Sequence, residues 1–223
     1  MAAVITPRGQ NPTGAAIDAR RAAELCAVLD RHPGVLVIED DHLGQIAGSD
    51  LHTTVTGRRR WAATRSVAKA LGPDLRLAVL AGDAETVARV QGRQQCGPGW
   101  VSHILQDLVI RLWGDPGTLL LIDLARETYA ERRRALLAAL DGLGIKARGA
   151  SGLNVWVPVR DEASVIAALL QRGWVLAPGA PYRLAAEPPA VRITIATLRT
   201  EEAALLARDL AGVVAPGART RSG

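Results

Sequence analysis

Four apolar residues in a row, Val35 to Ile38, run straight into Glu39-Asp40-Asp41. A continuous apolar run closed by acids reads as a strand buried on both faces, the kind found in the middle of a parallel sheet. The segments before it agree. Ala2 to Thr6 reads as a short strand ended by Pro7 and Gly9, and Ala15 to Arg31 carries helical spacing before it stops at Pro33-Gly34. Strand, helix, strand is the pattern of a parallel α/β sheet. Two further short strands are predicted at Trp61 to Thr64 and Leu77 to Leu80.

From Ala84 the pattern turns helical, broken at Gly97-Pro98-Gly99 and again at Gly114 to Gly117, with a long helix from about Pro116 to Leu140. A smaller α+β section is predicted after it. Its strands fall near Ile145 to Arg148, Leu153 to Val159, Trp174 to Ala177 and Val191 to Ala196, with helices at Asp161 to Gln171 and Glu201 to Val213. The expected division is 1–130 for a large domain, 131–214 for a small C-terminal domain and 215–223 for a frayed tail.

With 223 residues the chain can bury one sizeable core or two small ones. Its 48% hydrophobic and 22% charged residues exclude a disordered chain. No apolar run is long enough to span a bilayer, and the first residues lack a basic-then-apolar leader, so a cytoplasmic location is expected. Cys26 and Cys96 sit in apolar helical patterns and are expected as small core residues. The net charge is +5, but the basic residues are scattered, which argues against a nucleic-acid surface. The runs Arg58 to Arg60 and Arg132 to Arg134 are expected as solvated faces. Only two of the 27 basic residues are lysines, Lys69 and Lys146. An arginine cannot serve as an amine nucleophile, so a lysine kept in such a background draws attention.

Three apparent motifs fail on context. Gly142 to Ala147 fits G-x-G-x-x-A, but there a helix ends and a strand begins, the reverse of a dinucleotide-binding turn. Ser66 to Lys69 fits S-x-x-K without the downstream elements that chemistry needs. His32, His42, His52 and His103 show no metal-ligand spacing. A fourth set holds together. Asn11-Pro12-Thr13-Gly14 follows the first strand, Asp40 the second, and Ser66 and Lys69 the third, while Arg76 opens the fourth. Ligands of open α/β sheets bind beyond the carboxyl ends of the strands, so these residues are expected to converge. Amide, carboxylate, amine and guanidinium together suit an aromatic, phosphorylated, electrophilic cofactor. Taken singly, each also suits an ordinary turn or cap.

The segments Asn11-Pro12-Thr13-Gly14, Glu39-Asp40-Asp41 and Ser66 to Ala78 resemble the later half of the fold-type I pyridoxal-phosphate aminotransferases. The likeness is greatest to the aminotransferase-like domain of MocR-type regulators of the GntR superfamily, and it covers residues 4 to about 210. It implies a mainly parallel large-domain sheet followed by a small α+β domain, with pyridoxal 5′-phosphate as cofactor. By this resemblance Lys69 forms the aldimine, Asp40 keeps the pyridine nitrogen protonated, and Asn11 bonds the ring hydroxyl oxygen. Ser66 and Arg76 bind the phosphate, and Arg192 grips a substrate α-carboxylate. The implied activity is amino-group transfer between an amino acid and a 2-oxo acid, in a homodimer.

Two departures stand out. His42 occupies the place of the family's tyrosine, so the ring oxygen would meet an imidazole in place of a phenol. Only ten residues precede Asn11, so the family's earlier phosphate loop, stacking aromatic residue and, in MocR-type proteins, DNA-binding domain have no counterpart in this sequence. The expected sheet is therefore about four strands with open edges. Besides the enzyme, two other readings stay open: a cofactor- or amino-acid-sensing domain that meets nucleic acid only through such a preceding domain, and a fragment unable to hold the cofactor.

Overall fold

The computed structural model describes residues 1–184 and 187–214; the expected frayed tail at 215–223 lies outside them. The chain divides into two compact units, residues 1–10 with 16–127, and residues 11–15 with the chain from 128 onward.

The first unit is built on a four-stranded sheet in the order β1 (Ala2–Ile5), β2 (Leu36–Asp40), β3 (Trp61–Ser66) and β4 (Ala78–Gly82). β1, β2 and β3 are parallel, with Ile38 opposite Ala62 and Asp40 opposite Thr64. β4 departs from the simple parallel pattern and runs antiparallel to β3. The connection from Val67 to Leu77 carries no crossover helix, and a parallel return needs one. This reversal matters for the site, because the start of β4 lies at the same rim as the carboxyl end of β3, with Ser66 paired to Ala78.

Helix boundaries follow their caps. α1 (Ala19–Asp30) begins later than the spacing suggests, because the Asp18 carboxylate accepts from the Arg21 amide at 2.7 Å. Residues 15–18 are non-helical, and the Ile17 amide donates to the Pro7 carbonyl. Asp83 caps α2 (Ala84–Gln95) and Ser102 caps α3 (His103–Gly114). At α4 (Pro116–Asp141) the Asp115 carboxylate accepts from the Thr118 amide at 2.6 Å and hydroxyl at 2.7 Å, with Pro116 at the first helical position. A small apolar cluster of Val67, Leu75 and Val109 gathers Leu71 and Leu77 from the β3–β4 connection against Leu105, Leu112 and Trp113 of α3.

The second unit carries the last fourteen residues of α4, from Thr128, and an antiparallel sheet in the order β5 (Asn154–Pro158), β7 (Ala190–Thr194), β6 (Ala177–Pro178). α5 (Glu162–Leu170) and α6 (Ala203–Val214) pack with it around a core of Leu136, Leu140, Val155, Val157, Leu169 and Leu206. The strand expected near Ile145 to Arg148 reduces to a single bridge from Arg148 to Trp156. That expected at Trp174 to Ala177 reduces to the two residues of β6. Trp174 instead closes the end of α5, its amide donating to the Leu169 carbonyl and its indole to Asp209 at 2.7 Å.

Three further expectations are corrected. Cys96 is exposed at the end of α2, a helix with no buried residue, and Cys26 is only half-buried. Arg58 is not a solvated charge, since its side chain is 5% exposed and donates to the carbonyls of His32 and Val35. Arg133 is likewise buried, donating to the Gly152 carbonyl at 2.8 Å, because a guanidinium can enter an interior that offers carbonyl acceptors.

Candidate functional site

Along β2 the side chains alternate between the two faces of the sheet. Glu39 and Asp41 are buried, whereas the Asp40 carboxylate is 48% exposed. Asp40 Oδ1 accepts from the Thr64 hydroxyl at 3.3 Å, and Nδ1 of His42 lies 3.9 Å from Asp40 Oδ2.

The two buried acids are fully engaged. Glu39 accepts from the Thr53 hydroxyl and from the Thr54 amide and hydroxyl. Asp41 takes both arms of the Arg8 fork at 2.9 Å and the Arg65 guanidinium at 3.0 Å. Burial alone would raise the Asp41 carboxyl, but the hydrogen bond and charge of Arg8, with the charge of Arg65, outweigh it and hold the group below its usual value. Asp41 thus ties the chain just past β1 to the ends of β2 and β3. These acids were missed in the sequence, although two acids on the inward side of an alternating strand call for partners.

Ser66, Lys69 and Arg76 share the rim with Asp40. The turn carrying Lys69 is closed by the Ala70 and Leu71 amides on the Val67 carbonyl, and the Val67 amide donates to the Leu77 carbonyl at 3.1 Å. Since Val67, Leu71, Leu75 and Leu77 face α3, Lys69 and Arg76 are left exposed, and neither side chain has a hydrogen bond or ion pair among the described residues. Ser66 Oγ accepts from the Ala68 amide at 3.3 Å, which leaves its proton free to donate. A cavity of about 460 Å³ in this unit is lined by Glu39, Asp41, Arg65, Val79, Trp113 and Leu119, and none of the sequence-predicted residues lines it. The set belongs to the exposed rim.

Asn11 and Arg192 fall in the second unit. Arg192 Nη1 donates to Asn11 Oδ1 at 2.8 Å and to the Tyr182 hydroxyl oxygen, and the guanidinium stands 5.2 Å from the Tyr182 ring centroid. Asn154 Nδ2 donates to the same Asn11 oxygen at 3.3 Å. Gly14, at φ +62°, lets the Asn11 turn approach β5 closely, since a Cβ there would lie 2.5 Å from the Asn154 carbonyl oxygen. Tyr182 had no signal in the sequence beyond being one of two tyrosines.

Chemically, the rim presents an amine and a guanidinium without partners among the described residues, a hydroxyl donor, and a carboxylate supported by a hydroxyl. This set fits a cofactor with an aldehyde, a phosphate and a protonated ring nitrogen. Among the described residues no group of three or more His, Cys, Asp or Glu side chains could hold a metal ion, and no helix is long and apolar enough to cross a membrane.

Comparison with known proteins agrees with the fold. The chain is 39% identical over 211 residues to the vitamin B6 salvage pathway transcriptional repressor PtsJ of Salmonella typhimurium, across 94% of this chain and 49% of that protein. It is 25% identical over 233 residues to the aminotransferase tdiD of Emericella nidulans, across 94% of this chain and 53% of that protein. The chain thus spans about half the length of these curated relatives. Among solved structures it resembles LysN, the alpha-aminoadipate aminotransferase of Thermus thermophilus complexed with N-(5′-phosphopyridoxyl)-L-leucine. That match has a TM-score of 0.80 at 22% identity, over 95% of this chain and 58% of LysN. The kynurenine aminotransferase of Pyrococcus horikoshii matches with a TM-score of 0.82 at 20% identity, over 96% and 55% of the two chains. The aminotransferase class I and II family matches residues 2–210, and the chain belongs to that family.

Proposed function

We propose that the chain is a pyridoxal 5′-phosphate-binding, aminotransferase-like domain that acts in amino-group transfer between an amino acid and a 2-oxo acid. One observation carries the reading. The β3–β4 connection is pinned to α3 by its apolar residues and leaves Lys69 and Arg76, with no side-chain partner among the described residues, at the rim that holds Asp40 and Ser66. When bound, the cofactor supplies an electron sink for charge developing at a substrate Cα.

The chain's own groups then have defined tasks. Lys69 Nζ is the group that would hold the cofactor covalently, and its amine would serve as the base for the substrate Cα proton. Asp40 keeps the proton on the ring nitrogen. Thr64 fixes the carboxylate from one side and His42 stands near it on the other. The Ser66 hydroxyl and the Arg76 guanidinium would hold the phosphate, as a hydrogen-bond donor and a cation with several N–H donors. We assign Asn11 to the ring hydroxyl oxygen and Arg192 to the substrate α-carboxylate. The exposed Ile104, Ile110, Leu120, Leu121 and Leu124 of α3 and α4 favour a homodimer. Kinship with a transcriptional repressor favours the cytoplasm. A second reading rests on the same relation to PtsJ: the rim would sense the cofactor or its amino-acid adduct and bias a partner domain.

The test is to add pyridoxal phosphate to the purified chain, record the visible spectrum, trap the covalent link with borohydride and map the labelled peptide. Label on Lys69 that is lost in Lys69→Arg supports both readings, and turnover on adding amino acids then separates enzyme from sensor. Label absent, or spread to Lys146 and the N-terminal amine, overturns both.

A further inference from the structure

Around Arg192 the second unit holds side chains that the proposed reaction leaves without a task. Tyr182 ends a short turn, Ala180–Tyr182, whose place is set by a single buried carboxylate. Glu162 accepts from the Ala180 amide at 2.9 Å, from the Ala190 amide at 3.0 Å and from the Arg183 guanidinium. The turn is thereby fastened to the first residue of β7, the strand that bears Arg192. Gly179 brings the backbones together, its amide donating to the Ala190 carbonyl at 2.8 Å. A Cβ at Gly179 would lie 2.5 Å from that oxygen and 2.5 Å from the Trp156 ring. Trp156 in turn meets Tyr182 edge to face, with centroids 6.5 Å apart and planes at 85°.

The result is a tyrosine ring with a fixed place against a guanidinium. Tyr182 accepts from Arg192 Nη1 and offers its ring face to the cation. Asn11 takes the same Nη1 at 2.8 Å. Arg192 Nε, by contrast, is buried and has no hydrogen-bond partner among the described residues. A buried N–H left unmet calls for an explanation, and at Arg192, read as the carboxylate-binding group, an acceptor from outside the chain supplies one.

We infer that Tyr182 is a positioning residue for carboxylate recognition: by occupying Nη1 and stacking on the guanidinium, it aims the remaining N–H donors of Arg192 at a ligand carboxylate. The inference rests on the reading of Arg192 as the α-carboxylate group. A planar fork held in one orientation makes two parallel bonds to a carboxylate, which a freely rotating arginine does less often. Tyr182 need not touch the ligand to act in this way.

The test titrates the full chain with pyruvate, a 2-oxo acid probe, and follows the Arg192 Nε–H resonance in protein labelled with ¹⁵N-arginine. Tyr182→Phe keeps the ring and removes the acceptor, and it is expected to weaken pyruvate binding on the order of 10-fold, the worth of one hydrogen bond to a charged group. The unfolding temperature should stay unchanged, and the Nε–H resonance should shift less at saturation. Tyr182→His returns an acceptor on an aromatic ring and is expected to restore part of the affinity. If Tyr182→Phe binds as tightly as the wild type while Arg192→Lys loses binding, the role of Tyr182 is refuted and that of Arg192 stands. If the wild type fails to bind pyruvate, or Arg192→Lys binds equally well, the assignment of Arg192 falls and the inference with it.

Discussion

Replacing Asp41 by asparagine cuts the tie that joins three strand ends, and the size of the loss can be worked out from its contacts. The Asp41 side chain is 6% exposed, that of Arg8 13% and that of Arg65 45%. Removing one partner of a buried ion pair costs about 3–5 kcal/mol, because the other charge is left uncompensated. The Arg65 contact is half open to water and adds at most about 1 kcal/mol. Asparagine keeps one oxygen for the Arg8 fork, which puts the expected loss near the low end, about 3 kcal/mol. For a chain of this size each kcal/mol moves the unfolding temperature by roughly 2–4 °C, so a fall of about 6–12 °C is expected by circular dichroism. A double-mutant cycle with Arg8→Met should show about 2–3 kcal/mol of coupling, and one with Arg65→Met less than about 1 kcal/mol. The pH dependence follows from the lowered Asp41 value. A carboxyl depressed in the folded state contributes its stability above the usual value of 3.8 and loses it as pH falls through the folded value, so acid unfolding of Asp41→Asn should be shallower below about pH 4. A loss under about 1 kcal/mol, or equal coupling to both arginines, would refute this account of how the rim is held.

Two other outcomes follow from capping and from exposed surface. The Asp83 carboxyl is held at about 2 by the hydroxyl and amide of Thr86 and by the Trp61 amide, below the usual 3.8. Its ¹³C chemical shift should therefore titrate near pH 2, and the stability it contributes should fade between about pH 4 and that midpoint, a slope that Asp83→Asn removes. At α4, Leu120 is 70% and Leu121 66% exposed. The pair Leu120→Glu and Leu121→Lys should lower self-association in sedimentation experiments without lowering the unfolding temperature, and an unchanged sedimentation profile would show that this surface does not bind a second copy.

The sheet was legible wherever one short segment carried its own signal. Val35 to Ile38 is apolar without a break and leads into β2, and the parallel pairing of β1, β2 and β3 follows from strand–helix–strand order. The direction of β4 was less legible, because it depends on the absence of a helix between Val67 and Leu77, a segment whose Val67, Leu71, Leu75 and Leu77 pack on α3 instead. Short strands of the second unit misled for a related reason. Trp174 has the composition of a strand residue, yet its indole finds Asp209 and its amide finds the end of α5, so tertiary partners outweigh local preference.

Within the candidate site, residue type told more than position. In a chain whose basic residues are nearly all arginine, abundance hides which guanidinium groups are structural. The structure sorts them by partner. Arg8 is engaged by Asp41, Arg58 by the carbonyls of His32 and Val35, and Arg133 by Gly152, all within packed surroundings. Arg76 has no side-chain partner among the described residues, although it follows a connection held firmly by Leu71 and Leu75. A backbone already fixed by this packing loses less order when an anion arrives than a backbone that must first be ordered. The same logic applies to Lys69, whose turn is closed by two amides on the Val67 carbonyl while its amine stays uncommitted. Neither property can be read from spacing, because both depend on α3, which lies well further along the chain.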